Sequence, residues 1–230
     1  VSTLDRLDPP APDVSDDASD GLAEEAWEGD LPLEAAPEDA PRERTTAWLM
    51  LLLGAIGLAA AGALLVERIF LLIDPAYVPS CSFNPVLSCG SVMTTPQASV
   101  FGFPNPIIGV ATFPVVITTA AAMLAGARMR RWYWLGMQAG VTFGLVAVHW
   151  LIFQSLYRIG ALCPYCMVVW AAMVPLFAVV TSWVARSCGW TRRTWVADLV
   201  ALRWWLVGLW FVVVTALIGI EFWDYWRTLL

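Results

Sequence analysis

Apolar residues in this chain are gathered into five long, nearly uninterrupted blocks separated by short polar stretches. The blocks run from about Ala47 to Ile73, Ile107 to Ala127, Trp132 to Tyr157, Cys163 to Val184 and Trp204 to Trp223. A bilayer core of ~30 Å needs about 20 apolar residues at ~1.5 Å per residue, and each block meets that length. The pattern predicts an all-α membrane protein with five transmembrane helices. Pro114 and Pro175 fall inside the second and fourth blocks. Each removes a backbone donor and bends its helix, a defect that membrane bundles accommodate when neighbours satisfy the freed carbonyl.

Composition agrees: 59% of the 230 residues are hydrophobic and 14% charged, against ~25% charged in soluble domains. The charge is unevenly placed. Of 19 acidic residues, 14 lie between Asp5 and Glu43, opposed up to residue 44 only by Arg6, Arg42 and Arg44. The remainder carries ten arginines against five carboxylates. The pI near 4.7 therefore describes the leading segment and not the membrane body, and nothing in the pattern calls for a nucleic-acid partner. Residues 1–45, rich in Asp, Glu, Pro, Ala and Ser, are expected to form a disordered acidic tail, because they hold too few regularly spaced apolar residues to offset the entropy of ordering. The tail is either an interaction arm or a solvated leader with no specific partner. It lacks the basic start and short apolar stretch of a signal peptide, so the first block is expected to remain as a span. Residues 46–230 then form the membrane domain.

Arginines near block ends set the expected orientation, since positively charged connections stay cytoplasmic. Arg42 and Arg44 precede the first block, Arg128, Arg130 and Arg131 join the second to the third, and Arg186, Arg192, Arg193 and Arg203 join the fourth to the fifth. The N-terminus is thus expected in the cytoplasm. The loop from Asp74 to Pro106, the turn from Arg158 to Leu162 and the C-terminus are expected on the extracytoplasmic side. Trp132, Trp134, Trp204, Trp205 and Trp223 stand near block ends, where indoles anchor helices at the headgroup level.

Four of the five cysteines fall on that outer side. Cys81 and Cys89 lie in the long loop, and Cys163 and Cys166 form Cys-Pro-Tyr-Cys at the start of the fourth block. Two close pairs in an oxidising compartment read first as disulfides, whereas Cys188 is expected reduced and uninvolved. A Cys-x-x-Cys at a helix start has a further consequence, because the unpaired N–H groups and the helix dipole favour a thiolate. Pro164 suits the first helical turn, having no N–H to leave unpaired. The alternatives for Cys163 and Cys166 are a static staple or a zinc site, although zinc normally takes four ligands and the chain has a single histidine. Cys81 and Cys89 taken alone would suit a loop-closing staple. Two pairs on one membrane face permit thiol–disulfide exchange between them.

The string CSFNPVLSCGSVMTTPQASVFGFPNPIIG from Cys81, followed by CPYCMVVW from Cys163, resembles the bacterial branch of the vitamin K epoxide reductase family. The resemblance spans roughly Ala47 to Val184 and rests on the wide cysteine pair, Phe-Gly-x-Pro-Asn and the helix-start Cys-x-x-Cys occurring together. It implies a four-helix bundle around a quinone, of menaquinone or ubiquinone type, with one added peripheral helix, in the bacterial cytoplasmic membrane. It also implies that Cys81 and Cys89 accept electrons from a thioredoxin-fold partner, that Cys89 passes them to Cys163, and that Cys166 faces the quinone. Asn105 matches the asparagine that hydrogen-bonds a quinone carbonyl, and the resemblance favours Phe101 and Phe103 as a lid over the quinone, whereas without it they would be read as packing a short helix onto the bilayer. Trp170 stands where animal members have a quinone-orienting tyrosine, a departure that leaves that role open. Some bacterial members continue into a fused thioredoxin domain; with the sequence given ending at Leu230, the donor is expected to be a separate protein.

These residues together predict a quinone-linked thiol oxidoreductase that reoxidises a secreted thioredoxin-fold oxidase. The rivals are reduction of vitamin K epoxide itself, an unrelated four-span thiol oxidase, in which the helix-start pair comes first, and a transporter or scaffold with purely structural disulfides. Two ionisable features stand apart. Glu67 and Arg68 sit near the outer end of the first block, as interfacial anchors or as contributors to docking or site electrostatics. His149, inside the third block, is a proton acceptor for quinone reduction or, more commonly for a lone intramembrane histidine, a hydrogen-bonded packing residue.

Overall fold

The computed structural model describes residues 40–228. The acidic leader up to residue 39 lies outside the described residues. Five long helices carry the fold: α1 (Ala40–Ile73), α3 (Pro106–Leu124), α4 (Arg131–Gln154), α5 (Pro164–Ser187) and α7 (Arg203–Glu221), with short helices α2 (Cys89–Met93), α6 (Thr194–Ala201) and α8 (Trp223–Arg227) between and after them. All five long helices are apolar enough to cross a membrane, and they coincide with the five blocks to within a few residues at most ends. The largest difference is at α1, which begins at Ala40 rather than Ala47. Its opening residues are polar, so hydropathy does not announce them. The eight-residue α6 is also too short to register beside blocks of about 20.

Helices α1, α3, α4 and α5 form the bundle. Half of the most apolar stretch of α5 is buried and none of that of α7, so α5 is the central helix and α7 the peripheral one. Backbones approach closely where side chains vanish. A Cβ added to Gly109 of α3 would lie 2.8 Å from the Ala61 Cβ of α1, and one added to Gly57 would strike the Phe113 ring. Gly144 of α4 meets the Met173 side chain of α5 in the same way. Membrane helices associate through such small-residue contacts because lipid tails are as apolar as leucine and burial alone gives no drive to pair.

Polar contacts add to this. The Thr119 and Tyr133 hydroxyls pair α3 with α4, and Gln138 donates to Thr181 across α4 and α5 at 3.0 Å. His149 fixes the peripheral helix: its Nδ1 faces the Leu145 carbonyl at 2.8 Å and its Nε2 accepts the Trp210 indole N–H of α7, also at 2.8 Å. An indole can only donate, so Nε2 is the acceptor and the ring hydrogen sits on Nδ1. Both nitrogens are thereby used in packing.

Two irregular segments bring the loop to the bundle. A π-turn over Ser155–Ile159 ends α4 and closes on Gly160, whose φ of 67° suits a residue without Cβ. The chain then passes through buried Ala161 and Leu162 into α5. Here it forms a one-pair parallel bridge between Leu87 and Leu162.

Candidate redox site

The site assembles around that bridge. Ser88 N–H donates to the Leu162 carbonyl at 2.9 Å and Leu162 N–H to the Val86 carbonyl at 2.7 Å. Cys89 follows one residue after Ser88, and Cys163 one residue after Leu162, so the bridge sets the two cysteines in register. On the loop side, Asn84 Oδ1 accepts from Val86 N–H at 3.0 Å and Leu87 N–H at 2.7 Å, the side-chain-closed turn that asparagine favours. Ser88 caps α2 through Ser91 N–H, and Ser82 Oγ accepts from Gly90 N–H at 3.2 Å. The hydroxyls on either side of the cysteines thus hold the loop in shape.

Cys81 and Cys89 form a disulfide, with Cα atoms 5.6 Å apart. The Cys163 and Cys166 thiols are reduced. The Cys89 sulfur lies 3.0 Å from the Cys163 sulfur, both residues fully buried, and the sulfurs of Cys81, Cys89 and Cys163 all fall within 4.8 Å of one another. Leu64, Met93 and the partly buried Leu71, Val92 and Tyr165 close around them. Three sulfurs this close are a start for a metal site, but two are bonded to each other, and a disulfide offers no thiolate. The arrangement suits exchange instead: a thiol in contact with a disulfide, at the separation of a near-attack geometry.

Cys163 is the N-cap of α5 with Pro164 in the first turn. The Cys166 thiol, then the Cys166 and Tyr165 backbone N–H groups, hold the Cys163 thiol below its ordinary range, against the opposing effects of burial and the Glu67 charge. Cys166, three residues on, is half-buried and packs against the sulfur cluster.

Glu67 contributes more than the block pattern conveys. It is buried in the outer end of α1 and accepts from the Tyr77 hydroxyl at 2.9 Å, from Ser80 N–H at 3.3 Å, and from the Ser80 hydroxyl. The carboxylate therefore clamps the residue adjoining Cys81. In return it raises the Tyr77 phenol above its usual range, by accepting its hydrogen. A glutamate at a span end carries no sign in sequence of which backbone it will hold, so only the fold reveals this role.

The remaining candidates are not among the residues packed around Cys81, Cys89 and Cys163. Asn105 donates through Nδ2 to the Gln97 carbonyl at 2.7 Å and accepts at Oδ1 from Val100 N–H at 3.2 Å, clipping the segment before α3. Phe101 and Phe103 stack at 6.1 Å between centroids and stay exposed, flanking Gly102 with its positive φ. Trp170 is buried in the bundle core, one helical turn beyond Cys166. Cys188 ends α5 at its far end.

Residues 48–181 match the model of the Vitamin K epoxide reductase family. The comparison with curated proteins returned no match.

Proposed function

The chain belongs to the vitamin K epoxide reductase family, a family of quinone-linked oxidoreductases, and from that premise we propose that it oxidises a thioredoxin-fold partner outside the cytoplasm. It is a multi-pass membrane oxidoreductase. The observation that carries the finer reading is the Cys163 sulfur standing 3.0 Å from the Cys89 end of the Cys81–Cys89 disulfide.

In the proposed cycle, a partner thiolate attacks Cys81 and Cys89 leaves as a thiolate. The partner's second thiol then displaces Cys81, so the partner gains a disulfide and the loop pair holds two electrons. Cys89 attacks Cys163 of a Cys163–Cys166 disulfide and releases Cys166. Cys81 closes on Cys89, and Cys163 leaves with the electrons. The loop pair is now oxidised and the helix pair reduced, with Cys89 and Cys163 still in contact, which is the redox state of this structure.

When bound, a quinone would supply the two-electron, two-proton acceptor for re-forming the Cys163–Cys166 disulfide. The residues fit such a ligand in kind. Cys166 is half-buried rather than sealed, and Phe101 and Phe103 present a stacked, exposed aromatic pair. Asn105 directs one amide hydrogen at Gln97, and its amide nitrogen carries a second that can serve a quinone carbonyl. Trp170 holds the wall of the bundle beneath Cys166. The arginine-rich connections support placing the N-terminus in the cytoplasm and Cys81, Cys89, Cys163 and Cys166 outside, and the resemblance to the bacterial branch of the family supports the cytoplasmic membrane of a bacterium.

The test is expression in bacteria lacking their own membrane thiol oxidase, together with a secreted thioredoxin-fold oxidase, reading disulfide formation in an exported reporter. The intact chain restores it and Cys166→Ala does not. Restoration by both, or by neither, overturns the proposal. Offering the purified protein a quinone or its epoxide as acceptor separates thiol oxidation from epoxide reduction.

A further inference from the structure

At the end of the bundle away from Cys81, Cys89, Cys163 and Cys166, α1, α5 and α7 line an open cavity of about 320 Å³ formed by Thr45, Thr46, Leu49, Val179, Ser182, Arg186, Arg203 and Trp204. Arg186 lies 23 residues beyond Cys163 on α5, a distance of roughly 35 Å along a helix. The lining has a direction. Leu49 follows Thr45 and Thr46 by about one turn into α1, and Val179 precedes Ser182 and Arg186 by one and two turns in α5. The hydroxyls and guanidinium groups therefore stand at the helix ends, and the apolar side chains lie deeper along the spans. Trp204, exposed, is at the rim under the Arg203 guanidinium, whose carbon lies 5.5 Å from the ring centroid. Arg203 is steadied by donating to the Val200 carbonyl at 2.7 Å.

The cavity thus carries two guanidinium groups and the exposed Thr45 hydroxyl toward its mouth, the buried Thr46 and Ser182 below them, with the Ser182 hydroxyl donating to the Ala178 carbonyl, and an apolar floor deeper along the spans. Guanidinium groups suit phosphate through paired N–H donors, and a polar mouth over an apolar floor has the polarity profile of a phospholipid, phosphate outward and acyl chain inward. A free phosphate would use the mouth and gain nothing from Leu49, Val179 and Trp204. Basic pockets between spans on the arginine-rich side are the places where anionic headgroups bind. We propose that this cavity binds the phosphate of an anionic phospholipid, with an acyl chain lying against Leu49 and Val179. The proposal is independent of the thiol relay.

The test is native mass spectrometry of the full chain in non-ionic detergent, titrated with phosphatidylglycerol, phosphatidylcholine or inorganic phosphate. One phosphatidylglycerol is expected to bind more tightly than phosphatidylcholine, and inorganic phosphate at equal concentration is not expected to displace it. At about 1 kcal/mol per arginine, affinity falls about fivefold in Arg186→Gln or Arg203→Gln and about thirtyfold in the pair. Lipid-free melting temperatures are compared with the parent. Should Arg203→Gln loosen α7, Arg186→Gln alone decides, because Arg186 is on the central helix of the bundle. Equal affinity for the two lipids, unchanged affinity in Arg186→Gln, or displacement by inorganic phosphate overturns the proposal.

Discussion

The sulfur geometry makes a demanding prediction about covalent trapping. In a Cys81→Ser, Cys166→Ser variant, Cys89 and Cys163 have lost their own partners and retain each other at a starting separation of 3.0 Å. A disulfide needs ~2.05 Å, so closure asks for about 1 Å of movement in side chains already within a shared cluster. Well-oriented intramolecular reactions reach effective concentrations on the order of 10⁵ M, so against about 1 mM external thiol the internal pair is favoured by a factor on the order of 10⁸. Incubated in a glutathione buffer, with glutathione disulfide accepting the two electrons, nearly every molecule is expected to carry the Cys89–Cys163 bond. Cys188 is an internal control, since it lies 25 residues beyond Cys163 along the chain, or roughly 38 Å along a helix. The assay is alkylation of the remaining thiols followed by peptide mass spectrometry without reduction. Glutathione adducts on Cys89 and Cys163 in place of the internal bond would refute the relay geometry, because two buried sulfurs in contact cannot prefer an external partner.

Three further outcomes follow from the packing and the charges. Glu67→Ala strands the Ser80 and Tyr77 donors and is expected to cost about 2–4 kcal/mol, from hydrogen bonds to a charged group; thermal unfolding measures the loss, and the Cys81–Cys89 disulfide should be reduced faster by added thiol than in the parent. Gly109→Ala places a methyl 2.8 Å from the Ala61 Cβ and should destabilise the bundle by about 1–3 kcal/mol in thermal melts, whereas Gly136→Ala, which meets nothing within 4 Å, should change stability little. Because the Cys166 thiol is the largest cause holding Cys163 low, thiolate absorbance of Cys163 should persist to lower pH than that of a free thiol. In Cys166→Ala its inflection should move upward, and an unmoved inflection would remove the Cys166 contact from the account.

Much of this protein was legible in one dimension. Block length against bilayer thickness gave five spans, because hydrophobicity over about 20 residues is a local property that needs no partner to be read. Pro164 marked the start of α5 for an equally local reason, and the cysteine spacing and helix-start position pointed to exchange chemistry. Four arrangements owe their physical basis to the fold, among them the meeting of Cys89 and Cys163 that the family resemblance implied. The one-pair bridge between Leu87 and Leu162 sets Cys89 against Cys163, yet a bridge of two residues has no periodicity to detect. Glu67 holds Ser80 across 13 positions, and His149 meets Trp210 across 61; each side chain had two readings until its partner was placed. The cavity between Thr46, Arg186 and Arg203 joins three helices that are distant in sequence. Sequence determines which segments leave water, since that depends on each segment's own transfer free energy. Tertiary structure decides which sulfur meets which, because contact between remote residues depends on how the helices pack.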